Sequence, residues 1–223
     1  MKVFFERREE LALGIWQYYF KPERPVDFIP GQYADFHILP PLGDPRGQSR
    51  VFSFTSLPSD PLISCVLKIL PGASPYKQTL QALQPGDKLR LDDPMGDLVL
   101  PKLPSIPLVF LAGGIGIASF ASMLKDLIAR QEERQIFLFY ALRSRQEQIF
   151  HELTDSYPLA LKQIVFSPNR LNAQEVMDAT PPNSFIYLSG SQRFVEGLQS
   201  DLEALRVPRE RIAFDYFDGY AEL

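Results

Sequence analysis

The 223-residue sequence predicts two domains, an antiparallel β-barrel followed by a doubly wound α/β unit built on a parallel sheet. Three observations carry this expectation. The first hundred residues are short β-branched and aromatic runs cut by proline and glycine turns. From Pro107 onward, compact apolar strands alternate with amphipathic helical patterns. Between them, LPKLPSIP places Pro101, Pro104 and Pro107 where a linker would lie. The expected units are therefore residues 1–101 and 102–223.

In the first unit LALGIWQYYF, QYADFHIL, RVFSFTS and LISCVLKIL read as strands. Turns are expected at Lys21-Pro22, Ile29-Pro30-Gly31, Pro40 to Gly47, Pro58 to Pro61, Pro71-Gly72 and Pro85-Gly86-Asp87. Tyr76, Leu80 and Leu83 recur at spacings of four and three, which predicts a helix from Tyr76 to Leu83. In the second unit PLVFLA is a strand. A glycine-rich turn follows, then a helix to about Arg130. QIFLFYA, KQIVFS, NSFIYLS and RIAFDYF are further strands, with helices expected around Gln146 to Leu153 and from Ser191 to Leu205.

Composition narrows the function. The chain is 45% hydrophobic and 22% charged, as a globular protein is, and its 20 prolines are dispersed as punctuation. A net charge of −4, with no run of more than two basic residues, gives nucleic acid no electrostatic footprint. No apolar run approaches 18 residues, so no membrane span is expected. The acidic residues that follow MKVFF argue against a signal peptide, and the expected location is cytoplasmic. Cys65 is the one cysteine, which excludes an internal disulfide and a cluster ligated by this sequence's own cysteines. His37 and His151 are too far apart in sequence to suggest a metal centre, and none is expected. Ser53, Ser74 and Ser189 lack a nucleophile-elbow context.

Two segments carry candidate chemistry. In PLVFLAGGIGIASF, Gly113, Gly114 and Gly116 lie between a buried strand and a helix. Backbone without Cβ lets a ligand approach, and free N–H groups at a helix start suit phosphate. After the next strand come Arg143 and Arg145, with no acid before Glu147. At the adenosine end of such sheets, arginine favours a 2′-phosphate and hence NADPH over NADH. In the barrel, Arg50, Phe52, Phe54 and Ser56 alternate with Val51, Ser53 and Thr55, so a cation, an aromatic ring and hydroxyls share one extended segment.

These segments together resemble the ferredoxin–NADP reductase superfamily of flavoenzymes. Arg50, Phe52, Ser53 and Ser56 meet the family's R-x-Y-S-x-x-S strand, with Phe52 in place of tyrosine. The resemblance implies that Arg50 binds the flavin phosphate, Phe52 lies on the isoalloxazine ring and Ser53 meets its reactive edge. Gly72 and Ser74, with Lys77 adding charge, resemble the family's phosphate-facing helix start. Gly31-Gln32-Tyr33 and Asp93-Pro94-Met95-Gly96 are similar to two further barrel motifs. Gly113-Gly114-Ile115-Gly116-Ile117 resembles G-G-x-G-x-T-P, with Ala118 and Ser119 replacing threonine and proline. Ser189-Gly190 stands where the family has Cys-Gly. Phe217, then Tyr220, fit the terminal aromatic beside the flavin.

The resemblance implies a flavoprotein reductase that binds FAD in preference to FMN and takes hydride from NADP(H) or NAD(H). Ser53, Ser189 and Phe217 would lie at the hydride path. Residues 1–101 would hold the flavin and 102–223 the nucleotide. The electron acceptor is left open, an iron–sulfur protein or a subunit of a redox complex among the choices. Two other readings stand beside it: an electron-transfer subunit of a larger complex, and a low-turnover flavin- or nucleotide-binding module.

Overall fold

The structure, a computed structural model, describes residues 1–39 and 47–217. Six strands form the first sheet: β1 (Lys2–Ala12), β2 (Ile15–Pro22), β3 (Tyr33–Ile38), β4 (Ser49–Ser53), β5 (Ile63–Lys68) and β6 (Lys88–Leu91). Their order is β4-β3-β6-β1-β2-β5 and every pairing is antiparallel. The two end strands then meet. Phe54 bridges Cys65, and the Thr55 amide donates to the Ser64 carbonyl at 2.8 Å, closing the sheet into a barrel. Its interior is aromatic, with Phe5, Tyr18, Phe20, Phe36 and Phe54 buried together. Helix α1 (Pro75–Ala82) covers one end, where the Tyr76 hydroxyl donates to the Phe36 carbonyl at 2.7 Å.

The second unit is a five-stranded parallel sheet of β7 (Leu108–Gly113), β8 (Ile136–Leu142), β9 (Leu161–Phe166), β10 (Phe185–Ser191) and β11 (Ile212–Phe217), in the order β11-β10-β7-β8-β9. Helices α2 (Ile117–Ala129), α3 (His151–Ser156), α4 (Ala173–Asp178) and α5 (Gln192–Ala204) connect the strands. β7 runs into β8 and β9 on one side, while β10 and β11 lie on the other. The topological switch point therefore falls between β7 and β10, and the crevice at their carboxyl ends is where such sheets bind ligands. Among the described residues no helix is long and apolar enough to cross a membrane.

Four elements depart from the sequence-based expectation. LALGIWQYYF is not one strand: Gly14, at φ +69°, turns the chain between β1 and β2, a left-handed position that glycine adopts without strain. The preceding charged residues belong to β1, because Val3 and Phe5 alternate inward while their neighbours face solvent. β6 and α4 were not foreseen; each is short and framed by turn residues. The helix expected over Gln146 to Leu153 is a 3₁₀ turn at Arg145–Glu147 followed by α3. Phe150 takes a left-handed backbone (φ +56°) between them and interrupts the helical path.

Candidate functional site

The two sheets meet where β4 ends. Ser53 lies directly across from Tyr33 on β3, so both side chains leave the same face of the barrel. The Ser53 hydroxyl donates to Asp215 Oδ2 on β11 at 3.3 Å and lies 3.0 Å from Ser119 Oγ on α2. Ser119 Oγ is in turn 3.1 Å from Ser189 Oγ on β10. Ser189 and Asp215 are register partners in the parallel sheet. Ser53, Ser119 and Ser189 are 3%, 0% and 0% exposed. The fold thus joins Ser53 to Ser189 through Ser119 and gives Ser53 a carboxylate partner in Asp215, two residues that the sequence did not single out. An acid amid the alternating apolar residues of IAFDYF was the signal for Asp215. Ser119 gave none beyond its place in the glycine-rich motif.

Tyr33 borders the same junction. Its ring lies on Gly96, where a Cβ would come within 2.8 Å of it. Burial raises the phenol's pKa, and the carboxylates of Asp215, Asp97 and Asp35 raise it further. This end of β4 is therefore acidic.

The other end is cationic. The Arg50 guanidinium sits 4.9 Å from the centre of the Tyr76 ring, in the first turn of α1, and donates to the Ser49 carbonyl at 2.6 Å. Ser74 caps that helix by accepting from the Lys77 amide, and Pro75 takes its first position. Arg50 and the positive end of α1 thus converge, with Gly72 just before it in an open turn (φ +79°). This arrangement suits a phosphate group. Lys77 Nζ donates to the Lys68 carbonyl at 2.7 Å.

Two residues of the expected flavin strand lie deeper than anticipated. Phe52 is 8% exposed and belongs to the barrel core, its ring 5.6 Å from that of Phe36 and 6.3 Å from that of Tyr76. Nearly all of its surface packs inward, as a core side chain. The Ser56 hydroxyl accepts from the Ser64 amide at 3.1 Å and is 3% exposed, so it is held within the barrel seam.

At the switch point, Gly113 ends β7 and Gly114–Gly116 form a 3₁₀ turn that leads into α2. Gly114 has φ +57° and open space where a Cβ would be, so its backbone is accessible. Gly116 is packed instead: a Cβ there would lie 2.0 Å from the Ser189 carbonyl oxygen. Gly113 and Gly190 both lie under the Phe194 ring, which a Cβ at either would meet at 2.8 Å. No side chain caps the start of α2. The first residues of α2, Ile117, Ala118 and Ser119, are buried, so the half-buried Gly114-Ile115 backbone just ahead of the helix is the second place for phosphate. Arg143 and Arg145 are exposed in the loop after β8, and among the described residues neither forms an ion pair. Glu147 nearby pairs with Lys68 of the barrel at 2.6 Å. Phe217 ends β11, half-buried, beside Ser191. Tyr220 lies outside the described residues.

Comparison with known proteins gives a consistent result. Residues 110–200 match the oxidoreductase NAD-binding domain. Flavohemoprotein A of Dictyostelium discoideum is 27% identical over 95% of the chain and 59% of its own length. The reductase component of propane 2-monooxygenase from Rhodococcus jostii is 26% identical over 87% of the chain and 57% of its own length. The chain thus spans less than two thirds of these relatives. Ferredoxin-NADP⁺ reductase from Plasmodium falciparum superposes with a TM-score of 0.80 at 15% identity, covering 97% of this chain and 95% of that one. A flavohemoglobin from Malassezia yamatoensis with bound FAD and heme superposes with a TM-score of 0.77 at 21% identity, over 97% of this chain and 59% of that one.

Proposed function

We propose that the chain belongs to the ferredoxin–NADP reductase superfamily and is an NAD(P)H-dependent flavoprotein reductase that holds FAD and passes electrons to an acceptor. Residues 1–101 serve as the flavin-binding unit and 102–223 as the nucleotide-binding unit. The observation that carries the reading is the meeting of the β4 end, the first turn of α2, β10 and β11 at one buried polar cluster. A barrel-bound flavin and a sheet-bound nicotinamide would need to meet at such a junction.

The residues present fit both groups. Arg50 and the start of α1 converge as a cradle for flavin phosphates, with Gly72 and Ser74 shaping the turn. The open Gly114 backbone, ahead of the positive end of α2, suits the nucleotide's pyrophosphate, with Gly113 and Gly116 setting the path of the turn. Flavin, when bound, supplies the hydride-accepting ring and the conversion from a two-electron donor to single electrons. The protein's part is to place the two rings and exclude water. Ser53 holds the flavin's reactive edge and Phe217 covers the ring, while the fully buried Ser189 acts behind Ser53 through Ser119 instead of lining the nicotinamide side. Lys77 adds charge near the flavin phosphates, and Phe52 and Ser56 hold the strand from within the barrel.

FAD binding is tested by mixing the flavin-free protein with FAD and separating free from bound by gel filtration. Retention of close to one flavin per chain supports the reading, and complete loss contradicts it.

Arg143 and Arg145 give a preference for NADPH. Replacing both by alanine is expected to raise the apparent constant for NADPH roughly 10- to 100-fold, the loss of one or two charge-assisted contacts. The constant for NADH should change little. Wild-type protein reduced at least as well by NADH would show that these side chains do not select the nucleotide.

Phe217→Ser is expected to tighten NADP⁺ binding and to strengthen a long-wavelength charge-transfer band, because the nicotinamide no longer competes with the phenyl ring for the flavin face. Flavin retention should weaken by roughly 2- to 10-fold, as an aromatic contact worth about 0.5–1.5 kcal/mol is lost. A lowered melting temperature with a wild-type spectral response to NADP⁺ would leave Phe217 as packing alone.

The acceptor is proposed to be a separate redox domain or protein. The reductase components and flavohemoproteins that the chain resembles are longer than it is. Cys65, its one cysteine, is buried in the barrel with its thiol pKa pushed up by burial. An iron–sulfur acceptor would therefore draw its ligands from outside this sequence. A cytoplasmic location fits such a role, where NAD(P)H is at hand.

A further inference from the structure

Each serine hydroxyl carries one proton and two acceptor lone pairs. Ser53 donates its proton to Asp215 Oδ2, so at the 3.0 Å contact with Ser119 it must accept. Ser119 therefore donates to Ser53 and has no proton left for its second neighbour. At the 3.1 Å contact, Ser189 must then donate to Ser119. The direction of every bond follows from the carboxylate at one end, and the four groups form a single chain, Ser189 to Ser119 to Ser53 to Asp215. All three hydroxyls are buried, where hydrogen bonds polarise one another and an unpaired hydroxyl is costly. Ser119 is the only group among the described residues that joins the barrel's Ser53 to Ser189 of the parallel sheet by hydrogen bonds.

We propose that Ser119 is a positioning residue: it locks Ser53 with its proton turned to Asp215 and a lone pair toward the junction, and ties Ser189 to the same orientation. The functional consequence rests on the flavin reading above. A flavin's reactive nitrogen accepts a hydrogen bond when oxidised and bears a proton when reduced. A Ser53 that can only accept therefore favours the reduced ring. Without Ser119, the Ser53 hydroxyl is freer to swing and donate to the oxidised ring.

The test has two arms. The first needs no flavin. Urea unfolding of the flavin-free protein is measured for Ser53→Ala, Ser189→Ala and the double variant, each with Ser119 and with Ser119→Ala. Ser53 and Ser189 do not bond each other, yet the chain predicts that their effects couple, by roughly 3- to 10-fold in the unfolding equilibrium constant. That coupling should vanish when Ser119 is alanine. No coupling, or coupling that survives Ser119→Ala, overturns the chain.

The second arm measures the two-electron midpoint potential of the FAD-loaded protein. Ser119→Ala is expected to lower it by about 15–30 mV, a roughly 3- to 10-fold change in preference for the reduced ring. The shift should disappear in the Ser53→Ala background. An unchanged potential, or an equal shift without Ser53, overturns the positioning role. Failure of the wild type to retain FAD would defeat the flavin reading itself, while the first arm still decides the chain. If Ser119→Ala does not fold, Ser119→Cys replaces it in both arms, with nearly the same volume and a much weaker donor.

Discussion

Gly116→Ala is expected to lower the melting temperature by roughly 4–12 °C, the equivalent of about 2–3 kcal/mol in a chain of this size. The added methyl would sit 2.0 Å from the Ser189 carbonyl oxygen and 2.8 Å from the Gly190 amide nitrogen. Both are backbone atoms in the middle of a parallel sheet, so neither can move aside cheaply. The backbone at position 116 is itself right-handed (φ −57°), and alanine adopts that conformation readily. The loss would therefore measure the close approach of the glycine turn to β10 and not backbone strain. Moving that turn would also disturb the Ser119–Ser189 contact and weaken nucleotide binding. Gly197 supplies the control. It lies inside α5 with nothing within 4 Å of a Cβ, and Gly197→Ala should stabilise the protein by about 0.4–1 kcal/mol. Differential scanning calorimetry of the two variants compares them directly. A Gly116→Ala protein that melts with the wild type would contradict the packing described.

Arg50→Ala is expected to weaken FAD binding roughly 10- to 100-fold, as the loss of a charge-assisted contact worth about 1.5–3 kcal/mol requires. The barrel should remain folded. Arg50 lies outside the buried aromatic cluster and donates to the Gly47 and Ser49 carbonyls at the start of β4. The loss should depend on the phosphates. Riboflavin, which has none, should bind wild type and variant with similar affinity. Fluorescence titration with FAD and with riboflavin separates the contributions. Equal FAD affinity in both proteins would remove Arg50 from the phosphate site.

Much of this architecture was legible in the sequence because apolar periodicity changes sharply at the proline-spaced stretch. PLVFLA and QIFLFYA are buried strands in an α/β setting, and their interior positions read directly as core. The Ser191 cap and the start of α5 were also legible, since a serine before a helical pattern satisfies the first free amides. The β1–β2 hairpin was not. Leu13-Gly14 is a weak turn signal, and the charges in ERREE hide an alternation in which only Val3 and Phe5 face the core.

The site was legible in parts. Local motifs pointed to Arg50, Ser53, Ser74 and the glycine turn, because each has a chemistry that its neighbours explain. Strand alternation put Phe52 and Ser56 on one face and the family resemblance made them ligand-facing, but barrel closure buries both, and alternation does not specify what covers each face. Asp215 and Ser119 gain their meaning from tertiary contacts. Nothing near Ser119 in sequence indicates that its hydroxyl bridges two residues from different sheets.

The central claim is that electrons enter a barrel-bound flavin from a nucleotide on the parallel sheet. Anaerobic stopped-flow mixing of the FAD-loaded protein with NADPH tests it most directly, with the flavin absorption as the signal. The account predicts rapid, stoichiometric bleaching of the oxidised flavin with NADPH, and slower or weaker-binding reduction with NADH. Protein that retains FAD but is bleached by neither nucleotide would contradict it.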